Sequence, residues 1–175
     1  VTGYVDKRPT GLPLPYLGTD KDIELTDRHL VIGIGSDVKA RELVFYSFVN
    51  RGFAFESIID SAAITSAGAI FWEGCVIFPG VIVGPCAILQ PNVVLHSGVI
   101  VEHDCTIGEH SYLSPGVILS GRCHVGASVF IGSGAVLVDG ISVADNTTIG
   151  AGCVVTESIT EPDGTWVGVP ARRLK

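Results

Sequence analysis

Residues 77–100 read IFPGVI VGPCAI LQPNVV LHSGVI, and each block of six begins with a large apolar residue. The register continues without insertion over residues 65–154, which makes fifteen hexads, and only Thr65 departs from a large apolar first position. The fifth positions are small or β-branched: Ala69, Cys75, Val81, Ala87, Val93, Val99, Cys105, Ser111, Val117, Cys123, Val129, Ala135, Ile141, Thr147 and Cys153. A period of six fits neither a helix nor a simple strand, and it indicates a short strand followed by a turn.

Three such units close one triangular coil, so fifteen hexads predict a five-coil parallel β-solenoid, a mainly β fold. One large and one small side chain per hexad would fill the prism, while backbone hydrogen bonds between coils would satisfy the amides. Glycines recur at the second position, typical of the turns: Gly84, Gly108, Gly126, Gly132 and Gly150. We assign residues 61–175 to this domain and its C-terminal tail.

Residues 1–60 have a different pattern, which predicts a small α/β unit. Strands are expected at residues 1–6, 30–34 and 55–59, and a helix at residues 37–50 that ends before Gly52. Gly33 and Gly35 follow the second strand, but Val38 stands where a dinucleotide-binding GxGxxG loop needs its third glycine. A plain tight turn is the better interpretation. The sequence contains no Met, so we expect the natural N-terminus to precede residue 1.

Composition excludes several classes of protein. The chain has 11 Lys and Arg against 18 Asp and Glu, a net charge of −7, which argues against nucleic-acid binding. Hydrophobic residues reach 47% and charged residues only 17%, so a folded chain is expected. No apolar run approaches the roughly 20 residues of a membrane span, and no signal peptide is evident. We therefore predict a cytoplasmic protein with no membrane span.

The five cysteines form no CxxC pair, and an odd count without a secretory signal predicts reduced thiols. Four of them occupy the small inward position of the hexad and are expected to be buried. Cys86 falls in a turn and is expected at the surface.

Three histidines, His96, His103 and His110, are spaced seven residues apart. In a solenoid of period six, this spacing places each on a different wall, so one chain would not assemble a metal site and no metal is expected. A zinc site between subunits, as in the hexapeptide carbonic anhydrases, stays open as an alternative.

His103 occupies an outward turn position and Asp104 follows it. A carboxylate beside an imidazole fixes its tautomer and stabilises its protonated form, as a general base near neutral pH requires. An ordinary surface pair is the competing interpretation.

Outward sixth positions form an aliphatic stripe on one wall, whereas the next wall carries polar residues there. The stripe comprises Ile82, Ile100, Ile118 and Val136, and the polar positions are Thr106, His124 and Ser142. Such a stripe predicts packing against further copies around a threefold axis, a homotrimer with His103 in an intersubunit cleft.

Arg172, Arg173 and Lys175 follow the repeat and would attract a ligand with phosphates, although a solvated tail is an equal alternative.

The chain resembles the NeuD/PglD-type sugar acetyltransferases, which use acetyl-CoA to acetylate nucleotide-linked amino sugars or sialic acid. The resemblance is carried by the segments Val101-Glu-His-Asp-Cys-Thr-Ile-Gly108, Ser114-Pro-Gly116 and Gly168-Val-Pro-Ala171, with Gly121. Gly3-Tyr-Val-Asp6 and Ile32-Gly-Ile-Gly35 match the N-terminal nucleotide-sugar domain. It implies a left-handed parallel β-helix preceded by a partial, Rossmann-like domain.

The resemblance also implies roles for particular residues. His103 would be the general base, Asp104 would raise its basicity, and the backbone N–H of Gly121 would stabilise the oxyanion. Acetyl-CoA, the co-substrate, would lie near Tyr112, Ser133, Gly150 and Ala151, with its nucleotide end toward Arg172. The nucleotide of the sugar would contact Asp6, Gly35 and Ser36.

Two features depart from the family. Tyr112 stands where members often carry a second histidine, and the strand and Gly-rich loop that open the family's fold are absent from this sequence.

The function expected is N-acetylation of a nucleotide-linked 4-amino-sugar for surface glycan synthesis. O-acetylation of sialic acid or another sugar is the enzymatic alternative, and a non-catalytic scaffold or a zinc hydratase is the alternative of another class.

Overall fold

The computed structural model describes residues 2–24 and 29–174. Val1 and Lys175, which belong to the predicted first strand and basic tail, lie outside the described residues. Helix α1 spans Val38–Val49. The strands that follow it are β1 Ile58–Ile59, β2 Ile64–Thr65, β3 Ile70–Phe71, β4 Val76–Ile77, β5 Ile82–Val83, β6 Ile88–Leu89, β7 Val94–Leu95, β8 Ile100–Val101, β9 Thr106–Ile107, β10 Tyr112–Leu113, β11 Ile118–Leu119, β12 His124–Val125, β13 Phe130–Ile131, β14 Val136–Leu137, β15 Ser142–Val143, β16 Thr148–Ile149, β17 Val154–Val155, β18 Thr165–Val167 and β19 Arg172–Arg173.

Strands β1–β17 form a left-handed parallel β-solenoid of about six turns, which confirms the predicted fold class. Each strand pairs in parallel with the strand three further along the chain. The first wall runs β1-β4-β7-β10-β13-β16, the second wall β2-β5-β8-β11-β14-β17, and the third wall β3-β6-β9-β12-β15. The predicted number of five coils is too low, because Ile59 and Val155 continue the register at the two ends.

From Cys75 to Cys153, the interior of the prism contains the first and fifth positions of the hexads, as predicted, whereas Thr65 in the first hexad is exposed. Leu89, Ile107 and Leu119 at first positions are fully buried, and so are Val99 and Ala135 at fifth positions. Burial of one large and one small side chain per hexad is the main stabilising term for such a narrow core.

From Gly74 to Gly152, the fourth position of each hexad adopts the left-handed backbone conformation. Glycine occupies it in many turns, such as Gly98 with a φ of 70°. Elsewhere it is taken by non-glycine residues: Cys86, Asn92, Asp104, His110, Arg122, Ser128 and Asn146. Asn, Asp and His are the non-glycine residues found most often in this conformation, whereas Arg122 has a strained backbone there that the coils on either side maintain.

Helix α1 forms where the sequence predicts it. Asp37 Oδ1 accepts a hydrogen bond of 3.0 Å from the Ala40 N–H at its start, and Gly52, with a φ of 86°, follows its end. Phe45 and Phe48 of the helix pack into a small core of their own, separate from the prism.

The strands predicted before the solenoid are wrong in extent. Leu30 makes a single bridge to Phe55, and Tyr4 makes a single bridge to Tyr16. Ile58–Ile59 is regular strand, but it belongs to the solenoid. The solenoid thus begins just before residue 61. The boundary between an N-terminal domain of residues 1–60 and a solenoid domain of residues 61–175 stays a prediction.

The end of the chain caps the last coil. Strand β18 pairs with β16 on the first wall, and β19 folds back antiparallel to β18. The intervening turn is tied to the solenoid by a 2.8 Å hydrogen bond from the Ala171 N–H to the Val154 carbonyl. Across residues 2–24 and 29–174, no helix combines the length and apolar character that crossing a membrane requires.

Candidate functional site

His103 and Asp104 form the turn between β8 and β9, at the corner where the second wall meets the third. Asp104 has a φ of 58°, and its carboxylate lies beside the preceding ring, with Oδ2 2.8 Å from His103 Nδ1. An ionised carboxylate only accepts hydrogen bonds, so Nδ1 carries the proton and donates it. In the neutral ring, Nε2 therefore has a free lone pair. Because the two side chains are 41% and 55% exposed, an incoming molecule can reach this base.

Gly121 and Asp139 share this corner with His103, one coil and two coils further along, because each coil contains eighteen residues. A methyl group at Gly121 would lie 2.6 Å from His103 Nε2 and 3.0 Å from Asp139 Oδ1. The imidazole and the second carboxylate therefore converge over Gly121. A residue with any side chain there would displace one of them.

Arg122 holds the carboxylate of Asp139 in place. Its Nη2 donates to Asp139 Oδ2, and both side chains are about half exposed. It is the only Lys or Arg within residues 61–160. Sequence reasoning missed Asp139, although its spacing of thirty-six residues from His103, two full coils, was a signal that could have found it.

The backbone N–H of Gly121 makes no hydrogen bond to another described residue. It is thus an unused donor, as the oxyanion role requires. Gly121 is itself buried beneath the side chains around it, and its part in catalysis stays a prediction.

Three of the predicted cofactor residues lie together at a different corner. Ser133 and Ala151 are exposed at the junction of the first and second walls, one coil apart, with Gly150 beside Ala151. The Gly152 N–H donates to the Ser133 carbonyl over 2.8 Å. His103 lies at the opposite edge of the second wall, so a single chain does not bring these residues to the base.

Tyr112 and Arg172 are apart from that group. Tyr112 projects from the first wall, where it is buried and its ring centroid lies 5.8 Å from that of Phe130. Arg172 lies in β19, exposed, and donates to the Ala171 carbonyl over 2.8 Å. Their contacts with a cofactor stay predictions.

The predicted nucleotide-contact residues lie in two separate segments. Asp6 is exposed in the N-terminal loop, and its carboxylate accepts from the Lys7 N–H over 2.6 Å. Gly35 and Ser36 are exposed just before helix α1. In the part of the chain that the structure describes, no hydrogen bond joins the two segments.

A buried polar network, which sequence reasoning missed, joins helix α1 to the solenoid. Arg41, on the helix, donates from Nη1 to the Ile34 carbonyl over 2.7 Å and from Nη2 to Asn92 Oδ1 over 2.5 Å. Asn92 in turn lies 2.9 Å from His110 through its amide nitrogen and the ring's Nδ1. All three side chains of the chain Arg41–Asn92–His110 are buried.

The network fixes the tautomer of His110. The Asn92 amide nitrogen donates to Nδ1, so the neutral ring carries its proton on Nε2, which has no hydrogen-bond partner in the described structure. Burial lowers the pKa of His110 and lowers the pKa of Arg41 to about 10. His110 is therefore neutral and structural at neutral pH, and Arg41 is charged.

The cysteines lie as predicted. Cys75, Cys105, Cys123 and Cys153 are buried, and Cys86 is exposed. Burial raises the pKa of Cys75 to about 11, so its thiol is protonated and unreactive.

The three evenly spaced histidines occupy unrelated places. His96 stacks on Phe78 with ring centroids 4.2 Å apart, His103 pairs with Asp104, and His110 is buried under helix α1. Among the residues described, no three His, Cys, Asp or Glu side chains are grouped so as to hold a metal ion. A hollow of about 580 Å³ on the third wall is lined by Ile70, Trp72 and Ile88 among others, and it contains none of the predicted site residues.

The bacterial transferase hexapeptide (six repeats) family model matches residues 87–121 and 122–157. No curated protein sequence matches the chain significantly.

Several solved structures are similar over nearly the whole chain. The acetyltransferase domain of PglB from Neisseria gonorrhoeae is 27% identical, with a TM-score of 0.92 over 98% of this chain and 86% of that one. The same domain was solved with acetyl coenzyme A. PerB from Caulobacter crescentus, in complex with CoA and GDP-perosamine, is 28% identical, with a TM-score of 0.90 over 99% of this chain and 84% of that one.

Proposed function

We propose that the chain is an acetyltransferase of the NeuD/PglD type, which transfers acetyl from acetyl-CoA to the amine of a nucleotide-linked 4-amino-sugar. The observation that carries the proposal is the His103–Asp104 pair, which leaves Nε2 of a partly exposed ring free to accept a proton at a corner of the solenoid. The complex of the similar PerB with CoA and GDP-perosamine supports the class of both substrates.

His103 acts as the general base in this proposal. Acetyl-CoA supplies an acetyl group activated as a thioester. As the sugar nitrogen bonds to the acetyl carbon, His103 Nε2 takes one proton from that nitrogen, and Asp104 stabilises the imidazolium. The carbon–sulfur bond breaks, and the imidazolium returns the proton to the sulfur. The products are the acetamido sugar and free CoA thiol, and His103 is neutral again.

The cofactor would be held at the corner of Ser133, Gly150 and Ala151, whose small side chains leave room along the prism. Tyr112 would contact it, and Arg172 would pair with its phosphates. Asp6, Gly35 and Ser36 would contact the nucleotide of the sugar. These assignments follow from the resemblance and from the exposure of these residues, apart from the half-buried Gly150 and the buried Tyr112.

A second copy of the chain completes the site in this proposal. His103 and the cofactor corner flank the two edges of the second wall, whose outer face carries Ile82, Ile100 and Ile118. Ile82 is 39% exposed in the single chain, more than an aliphatic interior position would be. Packing of this wall against another copy in a homotrimer would cover the aliphatic stripe and bring the base of one copy to the cofactor of the next.

The test is a thiol-release assay with acetyl-CoA and a panel of UDP-, dTDP- and GDP-linked 4-amino-sugars, including GDP-perosamine. We expect His103→Ala to lower kcat by about 10²–10⁴-fold while it still binds acetyl-CoA in a thermal-shift assay. The matched control is His29→Ala, because His29 also forms an exposed pair with a carboxylate, that of Glu56, at 2.6 Å. Normal turnover by His103→Ala would refute the base, and no turnover of any amino sugar by the native chain would refute the function.

A further inference from the structure

We propose that Asp139 binds the acceptor and makes the site selective for an amine over a hydroxyl group. This inference rests on the proposed function and adds a specificity residue to it. It comes from the juxtaposition of His103 and Asp139 over Gly121, where atoms of both side chains lie within 3.0 Å of the same point.

The gap between the two side chains fits one bridging atom. His103 Nε2 lies 2.6 Å, and Asp139 Oδ1 3.0 Å, from one point above Gly121, so the two atoms are at most about 5.6 Å apart. Within the described residues, the two side chains form no ion pair at 4.0 Å or less. A nitrogen or oxygen placed between them can therefore reach both at hydrogen-bonding distance, near 2.8 Å each.

Both of these atoms accept hydrogen bonds. The proton of the His103 ring is on Nδ1, committed to Asp104, so Nε2 accepts. Asp139 Oδ2 is engaged by Arg122, and Oδ1 has no hydrogen-bond donor among the residues that the structure describes. The Arg122 pair thus leaves one carboxylate oxygen directed at the place where the base takes its proton.

A nucleophile between two acceptors must donate twice. A primary amine has two N–H groups, one for His103 Nε2 and one for Asp139 Oδ1. A hydroxyl group has a single O–H, and when it is directed at the base, its oxygen faces the carboxylate with lone pairs only. The unpaired and partly desolvated carboxylate then disfavours the hydroxyl acceptor. Since Asp139 is 49% exposed, we expect discrimination of about tenfold to a hundredfold rather than the larger ratios of fully buried sites.

The experiment compares two acceptors that differ in one group: GDP-perosamine and GDP-rhamnose, its 4-hydroxyl analogue, or the corresponding pair for whichever amino sugar the native chain acetylates fastest. The readout is kcat/KM for each acceptor in the native chain, Asp139→Ala and Asp139→Asn. We expect Asp139→Ala to reduce kcat/KM for the amine by ten- to a hundredfold without reducing it for the hydroxyl. Asp139→Asn retains an oxygen acceptor and should recover much of the amine rate.

The matched control is Glu56→Ala, which also removes an exposed carboxylate from a surface pair. It should leave the ratio of kcat/KM for the amine to kcat/KM for the hydroxyl acceptor unchanged. If Asp139→Ala has the same amine-to-hydroxyl ratio of kcat/KM as the unsubstituted chain, the inference is overturned and the proposed function is left intact. Equal loss with both acceptors, or failure of Asp139→Asn to recover the amine rate, would identify Asp139 as merely structural and also overturn it. Absence of turnover with every amine would overturn both.

Discussion

Substitution of Gly121 by alanine tests the geometry of the base directly. The new methyl group would lie 2.6 Å from His103 Nε2, against 3.4–4 Å for an ordinary van der Waals contact. The ring must therefore move by about 1 Å, and misplacement of a catalytic group on that scale costs about 10²-fold in rate. Since the backbone at Gly121 is not in the left-handed region, alanine adds no backbone strain. We expect kcat to fall about a hundredfold, equivalent to about 2.7 kcal/mol of transition-state stabilisation.

The assay is thiol release at saturating acetyl-CoA, repeated in a His103→Ala background. If the methyl group acts by displacing the ring, the double variant is no slower than His103→Ala alone, because no ring is left to displace. Gly121→Ala with native kcat would refute the close approach of the ring. Additive losses in the double variant would refute displacement of the ring and point instead to the Asp139 carboxylate, whose Oδ1 lies 3.0 Å from the same methyl position.

Two further predictions concern stability and assembly. Burial lowers the pKa of His110 below its usual 6.5. As the pH drops from 7 to 5, the unfolded chain therefore binds more protons than the folded chain. The free energy of unfolding should fall over this range. His110→Asn keeps an acceptor for Asn92 and should flatten that fall in urea titrations, whereas an unchanged slope would contradict the assignment. Ile100→Glu places a charge on the aliphatic wall, and light scattering should report a monomer in place of a trimer. If Ile100→Glu has the same molar mass in light scattering as the unsubstituted oligomer, the interface lies elsewhere.

The solenoid was predictable because its rule is local and repeats. All hexads but the first have one large apolar residue at the inward first position, so the register at Ile77 and at Leu137 follows from the same period. The segment before it was harder to predict. The run from Leu30 to Ile34 has the composition of a buried strand, yet a strand forms only beside a partner, and Phe55 offers a single bridge.

The site was predictable in part. His103 and Asp104 are neighbours in sequence, so their contact follows from the turn. Asp139 is brought to them only by two complete coils, and the direction of its side chain depends on Arg122. The Arg41–Asn92 contact spans fifty-one residues between two structural units, and no periodicity in the sequence relates them.

The central claim is that the base of one copy serves the cofactor corner of another. The most direct test is to coexpress His103→Ala with Ala151→Trp, each carrying a different affinity tag, and to assay the oligomers that retain both tags. Each variant alone should be nearly inactive, whereas every closed trimer that contains both variants has one of its three sites, about a third, with both elements intact. Activity near that fraction is the predicted result. A doubly tagged oligomer no more active than its parents would contradict the claim.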